Sequence, residues 1–428
     1  MQICIVAEHA STRFGGEAFL PVRYFSLLMA RGIETWLIVH SRTRNELAEL
    51  FPQDIGRMLF VPDLWIQRLL FRLSRYLPTR VYEPSLGLLN QLITQLCQRS
   101  ILRRLIRTHN IDVIHQPIPI SSRYPSALFG LGVPVVIGPL NGGMEYPPAF
   151  RTEESWVSRT TIAFLKLFTD VGNSLLPGKK RAAVVLVANE RTRNALPKGI
   201  RGRVIEMSEN GIDIGTWGCE SSDTVPATPL FVWVGRLVDW KALDIVIRAL
   251  VRVPTAELEV VGDGPMLESW RSLARELRVS ERVHFVGRKT HSQFAGRLRQ
   301  SVGLVLPSLY EAGGTVVLEA MASAKPVIAT RWGGPVDYLD SSCGILVDPQ
   351  SRDALVTGFA RAMQTLLDNP DLANAMGAAG RERAVRDFDW QRRIDRMIGI
   401  YGTLVNKSTS GHEPDCNCGV CLHHAATK

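Results

Sequence analysis

Two glutamates stand eight residues apart in the run Pro307-Ser-Leu-Tyr-Glu311-Ala-Gly313-Gly314-Thr315-Val316-Val-Leu-Glu319-Ala-Met-Ala. Glu311 lies in a polar turn and Glu319 in an apolar run of helical character. With Glu319 about one turn inside that helix, Gly313, Gly314, Thr315 and Val316 form its N-terminus. A helix N-terminus offers unpaired N–H groups and partial positive charge, which suits a phosphate. A carboxylate on either side can accept hydrogen bonds from sugar hydroxyls. The arrangement therefore suits a nucleotide-sugar. The plain alternative is a surface glutamate and a helix glutamate with no ligand.

A second group lies about seventy residues upstream, in Val234-Gly235-Arg236-Leu-Val-Asp239-Trp-Lys241. Gly235 lets the backbone turn at a strand end, the edge where doubly wound folds bind ligands. Arg236 and Lys241 are then two cations that can neutralise a diphosphate and stabilise it as a leaving group. A lysine at a helix start opposes the helix dipole, and a local anion would explain it. Val260-Val-Gly262-Asp263-Gly264-Pro265 is a further strand and turn, placed to shape a nucleoside pocket. Val286-Gly287-Arg288 makes a similar strand exit, with Arg288 a third candidate at the ligand edge. In the first half, Gly15-Gly16-Glu17 forms a turn after the first strand, where Gly16 permits close approach to phosphates or acceptor. His115 ends the strand Ile111-Asp-Val-Ile-His and is expected to face a cleft. Pro139-Leu-Asn141-Gly142-Gly143 is expected to line the same cleft.

Short apolar runs at 2–7, 36–40, 111–115 and 133–137 alternate with helical stretches, including Pro21 to Arg31. The rhythm restarts at 230–234, 257–261, 283–286, 303–306 and 326–329, with helices at 241–253, 266–278, 292–300 and 315–323. This predicts an α/β protein of two consecutive, Rossmann-like, doubly wound domains. Residues 1–205 form the first and 206–380 the second. Residues 381–404 form a closing helix pair, and 405–428 form a polar, disordered tail.

The chain has 428 residues, of which 46% are hydrophobic, and a near-zero mean hydropathy. Those values fit a globular protein with sizeable cores, and no run is long enough to span a membrane. The first residues enter a strand directly, with no visible signal peptide. Seven scattered cysteines argue against a disulfide scaffold, so a reducing cytoplasm is expected. Residues 1–205 hold 26 Lys and Arg against 14 Asp and Glu, a net +12; the rest hold 24 against 27, a net −3, giving +9 in all. The basic half is expected to face something anionic.

Taken together, these motifs resemble the family 4 retaining glycosyltransferases of the GT-B fold, over about residues 1–404. Gly235-Arg236-x₄-Lys241 followed by Glu311-x₇-Glu319 carries the resemblance, and Asn210-Gly-Ile-Asp213 agrees with it. The resemblance implies that the second domain binds a nucleotide-sugar, UDP- or GDP-linked, and the first presents a glycan or lipid-linked acceptor. Arg236 and Lys241 would hold the diphosphate, Glu311 the donor sugar and Glu319 the ribose hydroxyls. Gly313 to Val316 would offer N–H groups, and the last helix would cross back onto the first domain. It also implies hexosyl transfer with retention, no cofactor and no divalent metal. Two positions depart from the family pattern. Ala312-Gly313-Gly314-Thr315 replaces the usual Pro-Phe-Gly-Leu, and Pro117 replaces a second histidine after His115.

Two further features stand apart. Trp65, Ile66, Leu69, Leu70, Leu73 and Leu77 make an apolar helix face beside Arg68, Arg72 and Arg75. Arg99, Arg103, Arg104 and Arg107 decorate a second helix. Both point to docking on the anionic inner leaflet, as a peripheral membrane protein. The tail segment Cys416-Asn-Cys418-Gly-Val-Cys421-Leu-His423-His424 matches no strong zinc module and is read as flexible. Asp387-Phe-Asp389 is read as a helix-start cap rather than a metal motif. Rival readings are a sugar-nucleotide 2-epimerase on the same architecture and a non-enzymatic basic protein that binds nucleic acid. No nucleic-acid module supports the latter.

Overall fold

Strands whose every residue is buried, such as Val184-Val-Leu-Val187, must be covered on both faces, which parallel sheets with flanking helices achieve. The computed structural model describes residues 1–74, 83–152, 170–217 and 228–409. It contains two such sheets. The first comprises β1 (Gln2–Val6), β2 (Glu34–His40), β3 (Met58–Val61), β4 (Val113–Gln116), β5 (Val135–Leu140), β6 (Val184–Val187) and β7 (Arg203–Glu206). Its order is β3-β2-β1-β4-β5-β6-β7, parallel throughout. The second comprises β8 (Leu230–Val234), β9 (Glu257–Val261), β10 (Val283–Gly287), β11 (Gly303–Leu306), β12 (Val327–Thr330) and β13 (Gly344–Val347). Its order, β10-β9-β8-β11-β12-β13, is likewise parallel. Strand order reverses between β1 and β4 and between β8 and β11. Ligands of doubly wound sheets bind at such points.

Each domain has its own apolar core. The helices of the second domain fall where the periodicity puts them, at Leu243–Leu250, Leu267–Glu276, His291–Gln300 and Thr315–Ala322. One of them, His291–Gln300, starts at a capping box between Thr290 and Gln293. The first helix, Gly16–Ala30, begins five residues before the expected Pro21, so Pro21 lies inside it and leaves the Glu17 carbonyl without its intrahelical N–H donor. Strands β3, β6, β7 and β13 were not anticipated.

The chain leaves the first sheet after Glu206 and returns through a π-turn at Ala384–Phe388. The two crossings bind each other: Ile212 N donates to Phe388 O (2.9 Å) and Trp390 N to Ile212 O (3.1 Å). The last helix, Trp390–Thr409, then packs Trp390, Ile394, Met397 and Tyr401 into the first domain's core. Burying side chains of that size is worth about 2 kcal/mol each, enough to tether the helix there. That helix runs to Thr409, so residues 405–409 are helical rather than part of the tail. Cys416, Cys418, Cys421, His423 and His424 lie outside the described residues, as do Arg75 and Leu77.

Candidate active site

The predicted donor-side residues other than Arg288 converge at the carboxyl edge of the second sheet. Beyond β8, Gly235 N donates to Val261 O (3.0 Å) and Leu237 N to Asp263 O (3.0 Å), so the β8 and β9 exits run against each other. A Cβ on Gly262 would lie 1.9 Å from Gly235 O, so this glycine is required by backbone contact. Gly262 thus serves the framework of the turn that carries Gly235 and Arg236. Arg236 is exposed, and no carboxylate among the described residues pairs with it. Lys241 closes the 3₁₀ turn Asp239–Lys241, and its Nζ donates to the Glu311 carboxylate beyond β11. Two motifs seventy residues apart therefore meet at the switch point. Arg288 is far exposed (83%), beyond edge strand β10 and 3.9 Å from Asp263. It is two strands, about 10 Å, from β8, and is not gathered with the others.

Gly314 sits at φ 69°, the left-handed region, where a Cβ would press to 3.1 Å of Glu311 Cγ. Gly313 is held against the first crossing, where a Cβ would meet Asn210 Nδ2 at 2.5 Å and Glu209 Oε1 at 2.9 Å. Thr315 and Val316 open the helix Thr315–Ala322, so their N–H groups have no intrahelical acceptor. One turn further in, burial pushes the Glu319 carboxyl up to about 7. No donor among the described residues reaches it. A partnerless carboxylate beside an open helix N-terminus is equipped to accept hydrogen bonds from a ligand's hydroxyls.

The first domain contributes a cavity of about 620 Å³, formed past the ends of β1, β4 and β5 and closed by Tyr310 and Ala312 of the second domain. The carboxyl edges of the two sheets thus face each other across a cleft. Asn141 Nδ2 donates across it to Ala312 O (2.9 Å) and to Glu209 Oε1 (2.6 Å), and Trp332 Nε1 donates to Glu145 O (2.7 Å). Asn141, Gly142 and Gly143 line the cavity as expected. Gly16 opens its helix behind Gly15 (φ 107°), and a Cβ at either would meet nothing within 4 Å. Glu17 accepts from Ile120 N (2.9 Å) and joins the cavity wall.

Sequence reasoning missed Glu8 and His9, which also line this cavity. Burial raises the Glu8 carboxyl to about 7, with Arg42 opposing and Glu17 adding to the rise. His9 is lowered to about 4 by burial and by the charges of Arg42 and His40. Both directly follow β1, so the strand-end rule that singled out Arg236 would have found them. Glu209, buried with its carboxyl pKa raised by burial, was missed beside Asn210.

His115 contradicts its expected place. It is fully buried, away from the cleft. Its Nε2 donates to Gly138 O (2.6 Å), and since a carbonyl only accepts, Nδ1 accepts from Tyr401 OH (2.7 Å). The Tyr24 ring meets it edge-on at 4.7 Å, and burial lowers its pKa to about 4. His115 is a neutral clamp on the returning helix and has no contact with the cleft. Arg99 is likewise structural, turned inward onto the Ala127 and Phe129 carbonyls. Asp389 Oδ1 accepts from Gln391 N (3.3 Å) at the start of the last helix, while Asp387 pairs with Arg386.

Comparison with known proteins matches residues 221–383 to the family model for glycosyl transferases group 1. The chain is 34% identical over 204 residues to a glycogen synthase of Mycobacterium tuberculosis, covering 46% of this chain and 48% of that protein. It is 36% identical over 184 residues to a GDP-mannose-dependent alpha-(1-6)-phosphatidylinositol monomannoside mannosyltransferase of Mycolicibacterium smegmatis, covering 40% and 47%. The chain thus spans about half the length of the curated relatives it matches. Anabaena HepE, solved in complex with UDP, superposes with a TM-score of 0.65 at 17% identity, covering 94% of this chain and all of that one. The fold is GT-B, two doubly wound domains facing across a cleft.

Proposed function

The second half of this chain belongs to glycosyl transferases group 1, and from that premise we propose that the protein moves a hexosyl group from a nucleotide-diphosphate-sugar to a glycan acceptor. The observation that carries this reading is Glu319: a half-buried carboxylate, its pKa raised to about 7 and without a protein donor, one turn inside the helix that Gly313 and Gly314 open. Ribose hydroxyls would supply the missing donors. The diphosphate would lie between the Thr315 and Val316 N–H groups and the free guanidinium of Arg236. Lys241 would shift its charge from Glu311 toward the departing phosphate, leaving Glu311 to hold the sugar. The C1–O bond to diphosphate breaks, the acceptor hydroxyl bonds to C1 on the departing face, and its proton passes to the leaving phosphate oxygen. Configuration is retained, and Arg236 and Lys241 stabilise the leaving group in place of a divalent metal.

The donor nucleotide is UDP or GDP, each of which has a precedent: HepE was solved with UDP and the mannosyltransferase is GDP-mannose-dependent. The 620 Å³ cavity favours an acceptor over the 2-epimerase alternative, which needs none. The acceptor is a lipid-linked glycan of the cell envelope, met at the inner leaflet. Trp65 (74% exposed), Leu69 and Leu73 share one exposed helix face with Arg72, which suits an anionic bilayer surface. A thermal-shift panel of UDP, GDP, ADP and their sugars, with and without EDTA, tests the donor half. Stabilisation by one nucleotide, lost in Glu319→Ala and unaffected by EDTA, is expected. No stabilisation by any nucleotide, or its loss with EDTA, would overturn the reading.

A further inference from the structure

A second cavity, of about 380 Å³, lies at the hinge instead of in the cleft. Both chain crossings line it: Glu206 to Ser208 on the way out, and Arg386 to Phe388 with Arg392, Arg393 and Arg396 on the way back. Asn189 beyond β6 and Asp337 of the second domain complete the wall.

Its charges do not balance. Arg386 is spent on Asp387 through two contacts, 3.0 and 2.9 Å. Asp337 accepts from Asn189 Nδ2 at 2.6 Å and lies 3.8 Å from Arg191. Glu206 is then the one uncommitted carboxylate on the wall, against Arg392, Arg393 and Arg396. Among the described residues no carboxylate forms an ion pair with any of those three; the buried Glu209 carboxylate acts on Arg393 from a distance, and nothing of opposite charge meets Arg392 or Arg396. Arg396 donates to Glu206 O (3.0 Å) and Arg393 to Ser208 O, which fixes both guanidinia at the wall. Arg393 is 4% exposed, lies over the Trp390 ring at 5.0 Å, and its buried Nε has no acceptor. Three guanidinia gathered on one wall repel one another, Glu209 offsets only the buried Arg393, and an anion in the recess would complete the set. Guanidinium forks match phosphate oxygens in particular.

We propose that this hinge cavity binds a small phosphorylated anion carrying at least two negative charges, held by Arg392, Arg393 and Arg396. The site is distinct from the cleft and does not rest on the transferase reading. Because both crossings line it, the ligand would tie together the two segments about which the domains must turn. Inorganic pyrophosphate, titrated calorimetrically into the full chain at low salt, is the probe. Binding is expected in the wild type, retained in Arg236→Ala, and weakened at least tenfold in Arg392→Ser with Arg396→Ser. Both arginines are exposed, so an unchanged melting curve of the serine pair is expected. Should that pair unfold, Arg392→Lys with Arg396→Lys keeps the charge but loses the fork, and at least threefold weaker binding is expected. Full affinity in the folded arginine variants, loss of all binding in Arg236→Ala, or no binding to the wild type at millimolar pyrophosphate would overturn the proposal. Loss of binding in Arg236→Ala would place the pyrophosphate in the cleft instead, whereas nucleotide binding there is read separately by the thermal-shift panel.

Discussion

Glu319 is a carboxylate that burial holds near pH 7, and what it accepts decides its charge. Ribose hydroxyls favour the ionised form, so nucleotide affinity is expected to fall as pH drops below 7. Calorimetry at pH 7.5 and 5.5 should show a several-fold loss, and Glu319→Gln should flatten the dependence. Removing hydrogen bonds to a charged group costs about 1.5–3 kcal/mol, so Glu319→Ala should weaken the nucleotide roughly 10- to 150-fold. His115 makes the opposite kind of prediction. It is neutral in the folded protein, with a pKa of about 4, while the unfolded chain takes up a proton near 6.5. Its contribution to stability is therefore present above pH 6.5 and lost as pH falls toward 4, by roughly 3 kcal/mol at most. Glu8 and Glu319, raised from 4.5 to about 7, act in reverse: their contribution is present below 4.5 and fades as pH rises through 7. Urea unfolding from pH 7 to 5 should show the His115 component vanish in His115→Gln. That variant should lose stability while its kcat, measured on folded protein, changes little.

Strand-exit loops divide into those that a side chain would break and those that wait for a ligand. Gly262 and Gly313 belong to the first kind, since a Cβ would collide with the Gly235 carbonyl or the Asn210 amide. Gly262→Ala is expected to lower both melting temperature and nucleotide affinity. Gly16 belongs to the second kind, with open space where a Cβ would go. Gly16→Ala should leave the melting temperature within a degree or so, and any loss should appear in KM or kcat. A fall in stability with unchanged kinetics would remove Gly16 from the site. The elements themselves were legible wherever a strand, a glycine turn and an amphipathic helix followed one another, as from Leu230 to Ala322. Strands β3, β7 and β13 are sheet edges with four residues each, too short to show alternation. Val184-Val-Leu-Val187 has the composition of a buried strand, but the helices next to it, Gly178–Arg181 and Glu190–Asn194, are short, so no βαβ rhythm announced it.

At the scale of the whole molecule, the π-turn at Ala384–Phe388 and the last helix together hold the hinge from both sides. Trp390 and Tyr401 lie in the first domain's core, while Phe388 packs in the second. Tyr401→Ala should cost about 3–5 kcal/mol, as large-to-small core changes do, and should release His115 as well. Its denaturation midpoint, compared with that of His115→Gln, measures how far the two act as one unit. The +12 charge of residues 1–205 makes a long-range prediction. Vesicles containing anionic lipid should retain the protein at low salt and release it near 0.5 M. Trp65→Ser with Leu69→Ser should weaken retention without changing nucleotide binding. Absence of binding to anionic vesicles at low salt would sink the membrane reading.

Periodicity and strand-end glycines determined the two α/β domains and named Gly235, Arg236, Lys241, Glu311, Gly313 and Glu319, because those signals are local. Which of the candidates meet was decided by tertiary structure alone. Lys241 reaches Glu311 because β8 and β11 are neighbours, a pairing of strands about seventy residues apart. Arg288 is left outside because β10 is an edge. His115 ends its strand as expected, yet the last helix, nearly three hundred residues on, covers it and turns a candidate for catalysis into a buried clamp. Strand-end position can be read from sequence, but what packs over a strand end depends on long-range topology.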